Sequence, residues 1–258
     1  MLDSALRPLT ESPDRAAILC DIDGTLAPIV ERAEEARVPP QVTRVLAELS
    51  RRYAVVACVS GRSALDAKRL TGVGAIAYAG SHGAELLWPG KPEPAVVPEF
   101  ERYTAKVHEF AAAHDAEDLR ALGIRVEDKG PIVAYHWRGA PDEDAAHRRL
   151  AELAAHTDGL ATHWGRKVLE IRPPVPISKA RAVEQLIAAP GVRTALYGGD
   201  DTTDLDAFDA LDAAVADGGL DAAVRVGVVS SEGPREIEAR ADLAVRGTAG
   251  FLQVLEAL

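Results

Sequence analysis

Two aspartates stand two residues apart at the end of an apolar run, Ile18-Leu19-Cys20-Asp21-Ile22-Asp23-Gly24-Thr25-Leu26. The run has strand character, and a buried strand has no structural use for two acids at its end. Residues i and i+2 of a strand point to the same side. Two carboxylates crowded there repel each other unless a cation or a raised pKa relieves them. The spacing suggests a divalent metal, a carboxylate nucleophile, or both.

Three further segments carry residues of chemical interest. Ser60-Gly61-Arg62 follows the apolar run Tyr53–Val59. Lys179 falls in the first turn of an expected helix, where the helix dipole disfavours a cation. Asp200, Asp201, Asp204 and Asp206 put four acids into seven residues. That exceeds what capping a helix requires and resembles a site for a hard cation with oxygen ligands. Each segment alone has a plainer explanation: an Asp-rich loop, a turn with a helix cap, a solvated lysine, a capped helix. Their joint occurrence, in this order and at strand ends, makes chance a poor account.

The elements that position them alternate. Strands are expected at Ala16–Cys20, Tyr53–Val59 and Ala75–Ala79, with helices over Pro40–Arg52 and Ser63–Leu70. After Pro173, Pro174 and Pro176 the alternation resumes. A helix is expected over Ser178–Ala189 with Ser178 as N-cap, and a strand at Thr194–Tyr197. A short helix over Asp204–Leu211 follows, then strands at Ala222–Val229 and Ala241–Val245 and a closing helix over Gly250–Leu258. Strands alternating with helices imply a parallel sheet covered on both faces. Ligands of such a sheet gather beyond the carboxyl ends of its strands, where all four segments lie.

The middle differs. Pro89, Pro92, Pro94 and Pro98 break up Leu87–Glu99, which reads as a connector. Phe100–His114 reads as a helix, and Gly123–Asp128 with Ile132–Arg138 as an antiparallel hairpin. Ala140–Thr157 reads as a helix with acids in its first turn. Leu160–Trp164 and Lys167–Ile171 flank Gly165-Arg166 as two more strands. The expected organisation is an α/β core over 1–84 and 175–258, split by an inserted α+β domain over 85–174.

Composition bounds the rest. The chain has 258 residues, is 47% hydrophobic and 27% charged, and carries a formal net charge of -11. That balance disfavours nucleic acid as a partner. No apolar run approaches the ~18 residues of a membrane span, and Met1–Arg15 has no apolar signal-peptide region. No membrane association is expected. Cys20 and Cys58 are expected as buried, reduced thiols of a cytoplasmic protein.

The four segments resemble the motifs of the haloacid dehalogenase-like hydrolase superfamily: Asp21-Ile-Asp-Gly-Thr, Ser60, Lys179 and Gly199-Asp200-Asp201-x-x-Asp204. The resemblance spans the chain and implies a Rossmann-like core with an inserted cap. It implies that Asp21 attacks phosphorus and forms an aspartyl phosphate. Asp23 would protonate the leaving oxygen and then activate water. Ser60, Gly24, Thr25, Gly61, Arg62 and backbone N–H groups after Asp21 would surround the phosphate. Lys179 would neutralise charge. Mg²⁺ would be held by Asp21, the main-chain carbonyl of Asp23 and Asp200, with Asp201 and Asp204 orienting its waters or Lys179.

Finer features resemble the trehalose-6-phosphate phosphatase family. They are Asp21 through Pro28-Ile29, Gly199 through Phe208, Val126-Glu-Asp-Lys-Gly130 with His136-Trp-Arg138, and Gly165 through Pro173. Leu205 and Ala180 depart from the family's usual Glu and Gly. The resemblance implies that Glu127, Lys129, Arg138, Arg166 and Glu170 bind the distal sugar's hydroxyls. It implies a small phosphorylated sugar as substrate, and a monomer is expected. His82 either lines the cleft or caps a turn. Trp88, Trp137 and Trp164 either stack on sugar or pack a hairpin core. The alternatives are a phosphatase for sucrose 6-phosphate or mannosyl-3-phosphoglycerate, one of broad specificity, a phosphosugar mutase, and a silent binding module.

Overall fold

The structure, a computed structural model, describes residues 2–30, 32, 35–114, 117–165, 167–231 and 233–258. The chain divides into two compact units, Met1–Ala95 with Ile177–Leu258, and Val96–Pro176. In chain order the first opens with α1 (Leu2–Thr10), β1 (Ala16–Cys20), α2 (Pro40–Leu49), β2 (Val55–Val59), α3 (Ala64–Thr71) and β3 (Ala77–Gly80). Two short strands follow, β4 (Glu85–Leu87) and β5 (Ala95–Val96). The second unit holds α4 (Pro98–Ala113), α5 (Glu117–Ala121), β6 (Arg125–Asp128), β7 (Val133–His136), α6 (Glu143–Ala154), β8 (Ala161–Gly165) and β9 (Val168–Arg172). The first unit then resumes with α7 (Lys179–Ile187), β10 (Thr194–Gly199), α8 (Thr202–Ala216), β11 (Ala222–Val229), α9 (Arg235–Arg240), β12 (Leu243–Arg246) and α10 (Gly247–Glu256).

The large sheet has the order β12-β11-β10-β1-β2-β3-β4-β5. It is parallel from β12 to β3, and β4 is antiparallel to β3. Its central strands are buried throughout, as strands covered on both faces must be. The period of two is visible in β1. Ala16, Ile18 and Cys20 join one core with Leu6, Leu46 and Phe251; Ala17 and Leu19 join the other with Val183, Phe208 and Ile237. From β1 the chain builds outward through β2 and β3, then returns to build the other half from β10. The sheet therefore reverses direction between β1 and β10, the crevice where open α/β sheets take ligands.

The sequence places the insert's start too early. Glu85–Leu87 pairs with β3, Tyr78 opposite Leu87, and Glu85 accepts the Ala64 N–H at 2.7 Å. The prolines that follow disguise a strand only three residues long. The helices α1, α5 and α9 are also absent from the sequence reading, and α8 begins two residues earlier and ends later than expected. Ser178 stands at the N-cap of α7 but makes no side-chain capping bond.

The second unit is an antiparallel sheet, β6-β7-β9-β8, with Val133, Tyr135, Leu169 and Ile171 packed on residues of α4 and α6. Alternation puts Glu127, Ala134, Glu170 and His163 in one row across the opposite face. Trp137 belongs to the unit's core and meets Trp164 edge-on. Cys20 and Cys58 are buried free thiols, register partners on β1 and β2. No helix among the described residues is long and apolar enough to cross a membrane.

Candidate active site

β1 delivers Asp21 to the switch point, its N–H bonded to Gly198 O at 2.9 Å. Lys179 Nζ reaches Asp21 Oδ1 at 2.8 Å and Asp204 Oδ1 at 2.6 Å. All three groups are buried. Burial works against the charge on Lys179, but Asp204 and Asp21 outweigh it and hold the ammonium above the usual lysine value. The unfavourable place of Lys179 at the start of α7 thus has its explanation in two carboxylates.

Asp204 is the hub. Its Oδ1 also accepts the Tyr197 hydroxyl at 2.6 Å, and its Oδ2 accepts the N–H groups of Asp200 and Asp201, each at 3.0 Å. Burial, then the charges of Asp204 and Asp21, raises Tyr197 far above the usual phenol value and keeps it a donor. Four donors fill the lone pairs of one carboxylate. Asp201 caps α8, its Oδ1 accepting Thr202 N at 2.7 Å, and shares a capping box with Asp204. Sequence reasoning missed Tyr197 because a tyrosine inside an apolar strand reads as core. The usable signal is that a buried phenol needs a hydrogen-bond partner.

Asp21, Asp200 and Asp204 each offer an oxygen within 4.8 Å of the others. Burial holds Asp21 well above the usual carboxylate range; Lys179 pulls it back, while Asp204 and Asp200 push it further. Burial, reinforced by Asp204, pushes Asp200 up to about 7. Three carboxylates sharing one ammonium form a donor set that fits a hard divalent cation. Since the bonds of Asp204 are already taken, Asp21 and Asp200 are the carboxylates suited to ligate. Asp206 lies outside the trio, half-buried on α8.

Gly24 and Thr25 serve that cluster. Thr25 Oγ1 donates to Asp200 Oδ1 at 3.1 Å. Gly24 has φ +92°, and a Cβ there would sit 2.0 Å from Asp200 Oδ2, so only glycine fits. Their N–H groups bond Ala27 O and Ile22 O at 2.7 and 3.3 Å. Both residues were expected around the phosphate, and their polar groups are engaged within the loop and on Asp200.

Ser60 leaves β2 with its N–H on Ala79 O at 2.9 Å. Its Oγ accepts Arg62 N–H at 3.2 Å, so its proton is available to another acceptor. Arg62 was expected at the phosphate. It instead grips Asp23 with two bonds of 2.7 Å, Nε to Oδ2 and Nη2 to Oδ1. Gly61 lies against the His82 ring.

In the second unit Glu170 is buried between two cations. Its Oε1 accepts Lys129 Nζ at 2.9 Å, and its Oε2 accepts Arg172 Nε at 2.8 Å. Glu127 bonds His136 at 2.7 Å. Lys129 and Glu170 are exposed by only 9% and 4%, so they do not lie on a solvated hairpin face. Arg138 lies close enough to Glu143 for its charge to lower that carboxyl's pKa, behind the larger effect of Lys167. Arg166 lies outside the described residues. Arg172 and His136 were missed, although Arg172 stands two residues after Glu170 on one strand and so must share its face.

The family model described as Trehalose-phosphatase matches residues 19–246. A trehalose-phosphate phosphatase of Mycobacterium avium is 35% identical over 213 residues, which cover 76% of this chain and 51% of that protein. A Mycobacterium tuberculosis protein described as an uncharacterized glycosyl hydrolase is 36% identical over 212 residues, 76% of this chain and 15% of its own length. The chain thus spans about half or less of these relatives. A solved trehalose-6-phosphate phosphatase related protein superposes with a TM-score of 0.72 at 25% identity, covering 93% of this chain and 95% of that one. A haloacid dehalogenase-like hydrolase from Bacteroides thetaiotaomicron shares the fold at 14% identity, with a TM-score of 0.63 over 93% of this chain and 98% of its own.

Proposed function

Because the chain belongs to the trehalose-phosphatase family, we propose that it hydrolyses trehalose 6-phosphate to trehalose and phosphate through an aspartyl phosphate. The observation that carries the reading is the buried Asp21–Lys179–Asp204 chain beside Asp200. It supplies a carboxylate, a fixed cation and a donor set for a metal at one strand end.

An anionic nucleophile must approach an anionic phosphate, so positive charge has to lie between them. Lys179 supplies part of it from Asp21 Oδ1. Mg²⁺, held by Asp21, Asp200 and the Asp23 main-chain carbonyl, would offset the charge of the phosphoryl oxygens. Ser60 donates its free hydroxyl proton to a phosphoryl oxygen. The backbone N–H groups that follow Asp21, those of Ile22 and Asp23, hold the other phosphoryl oxygens.

A carboxylate oxygen of Asp21 attacks phosphorus as the bond to the sugar oxygen breaks. The leaving oxygen keeps the electron pair and takes a proton from Asp23. In the second step water attacks the aspartyl phosphate, Asp23 takes its proton, and Asp21 is restored. Asp201 caps α8, and Asp204 holds the Asp200 N–H. In the inserted unit, Glu127, Lys129, Arg138, Glu170 and Arg166 are assigned to the sugar's hydroxyls. The same reading has the enzyme acting as a monomer and in the cytoplasm, the latter in keeping with its two free buried thiols.

The test is phosphate release from a panel of disaccharide and monosaccharide phosphates, with chelator or Mg²⁺. Turnover is expected to require Mg²⁺ and to favour trehalose 6-phosphate over glucose 6-phosphate by more than about tenfold. Asp21→Asn should reduce it to background. Equal rates on the two sugars would remove the substrate assignment, and an active Asp21→Asn enzyme would remove the nucleophile.

A further inference from the structure

The Arg62–Asp23 pair is built with more care than a surface ion pair needs. Each guanidinium nitrogen in the fork meets a different carboxylate oxygen at 2.7 Å. Two parallel bonds fix the plane of the carboxylate, which a single lysine-type contact would not. The arginine side chain is 17% exposed and the aspartate 37%, so the covered partner holds the open one from behind.

Arg62 is itself anchored through its backbone. Its N–H lies on Ser60 Oγ at 3.2 Å, and its carbonyl accepts Ser81 N–H at 2.7 Å. His82 N–H reaches Ser60 O at 2.9 Å. A Cβ on Gly61 would come within 2.6 Å of His82 Nε2, so the ring fills the space above that glycine. Ser81 and His82 adopt φ of +50° and +55°. Left-handed backbone at two adjacent non-glycine residues is strained and persists where the surroundings over-determine it. Here it is the segment that clasps residues 60–62.

We infer that Arg62 is a positioning residue for the proton-transfer carboxylate of Asp23 rather than a ligand of the substrate. The inference rests on the assignment of Asp23 as proton donor to the leaving oxygen. The fork takes one lone pair on each carboxylate oxygen and leaves the other free to carry a proton. The transferred proton passes from Asp23 to the sugar oxygen as the P–O bond breaks; Arg62 stays charged throughout. A misaimed carboxylate would slow protonation of the leaving sugar oxygen and the later activation of water, and only the first of these enters kcat/KM.

The experiment measures kcat/KM for Arg62→Gln, Asp23→Asn and the double variant. The substrates are trehalose 6-phosphate and p-nitrophenyl phosphate, whose phenolate leaves without protonation. Arg62→Gln is expected to lower kcat/KM on the sugar phosphate by at least about tenfold, with Arg62→Lys recovering little. On p-nitrophenyl phosphate the loss should stay within about threefold, and in the Asp23→Asn background Arg62→Gln should add less than about twofold on the sugar phosphate. A phosphate ligand or a purely structural residue would lose on both substrates. A sugar ligand would add its full loss to Asp23→Asn. Either result overturns the inference and leaves the role of Asp23 standing. If Asp23→Asn itself loses equally on both substrates, the proton-donor reading falls and the inference with it.

Discussion

Tyr197 donates its hydroxyl hydrogen to Asp204 Oδ1 at 2.6 Å, the same oxygen that receives Lys179 Nζ at 2.6 Å. The phenol therefore shares the load of a carboxylate that the ammonium must also satisfy while reaching Asp21. Tyr197→Phe leaves the ring in place and removes one of four donors to Asp204. Hydrogen bonds to charged groups contribute about 1.5–3 kcal/mol, so a stability loss of about 1–3 kcal/mol is expected. With one donor fewer, Asp204 competes harder for Lys179 and draws it from Asp21. A fall in kcat of about tenfold with KM nearly unchanged is the kinetic expectation. Denaturant melts and steady-state kinetics check both halves. A variant as stable and active as its parent would reduce Tyr197 to core packing.

The core was legible where chemistry and periodicity agreed. β1 and β2 are continuous apolar runs, and Asp21 and Ser60 follow directly on them. Lys179 was legible because it opposes a helix dipole. The pairing of Arg62 with Asp23 was not, because it joins residues 39 apart through the β1–β2 register. β4 was hidden by its three-residue length and the prolines beyond it. The short helices α5 and α9 carry too few apolar positions for a period of 3.6 to emerge. Glu170 was found by resemblance, while Arg172 on the same face follows from strand geometry alone.

Glu85 is a buried carboxylate outside the reaction, bonded to Ala64 N–H at 2.7 Å and the Ser81 hydroxyl at 3.4 Å. Burial raises its pKa above the ordinary 4.5, and those two donors pull it part of the way back. A group with a raised folded pKa favours the fold when protonated. Its contribution is fully present below about pH 4.5 and is lost as pH rises through the folded value. Glu85→Gln keeps an oxygen for Ala64 N–H and cannot ionise. The variant should therefore melt above its parent at about pH 8, and the gap should shrink toward about pH 5. At this chain length, a difference of 1 kcal/mol appears as about 2–4 °C. Thermal melts across that range decide it; a gap that is constant or widens on acidification contradicts the assignment.

Glu170 sits between Lys129 and Arg172, and this changes how its substitution must be read. Glu170→Ala leaves buried Lys129 and half-buried Arg172 without their shared carboxylate, a defect of up to about 3–5 kcal/mol. Loss of activity in that variant alone would not separate sugar recognition from unfolding of the inserted unit. Lys129→Met with Glu170→Gln removes both charges of the Lys129–Glu170 pair and keeps an acceptor for Arg172. The double variant should be more stable than the sum of its single variants predicts, by at least about 1 kcal/mol. If the pair also binds the sugar, the refolded double variant should still lose trehalose 6-phosphate turnover while hydrolysing p-nitrophenyl phosphate at close to the parent rate. Urea melts read the first quantity and kcat/KM on the two substrates reads the second. Stability restored together with full turnover of the sugar phosphate would assign Lys129 and Glu170 to the architecture of the sheet alone.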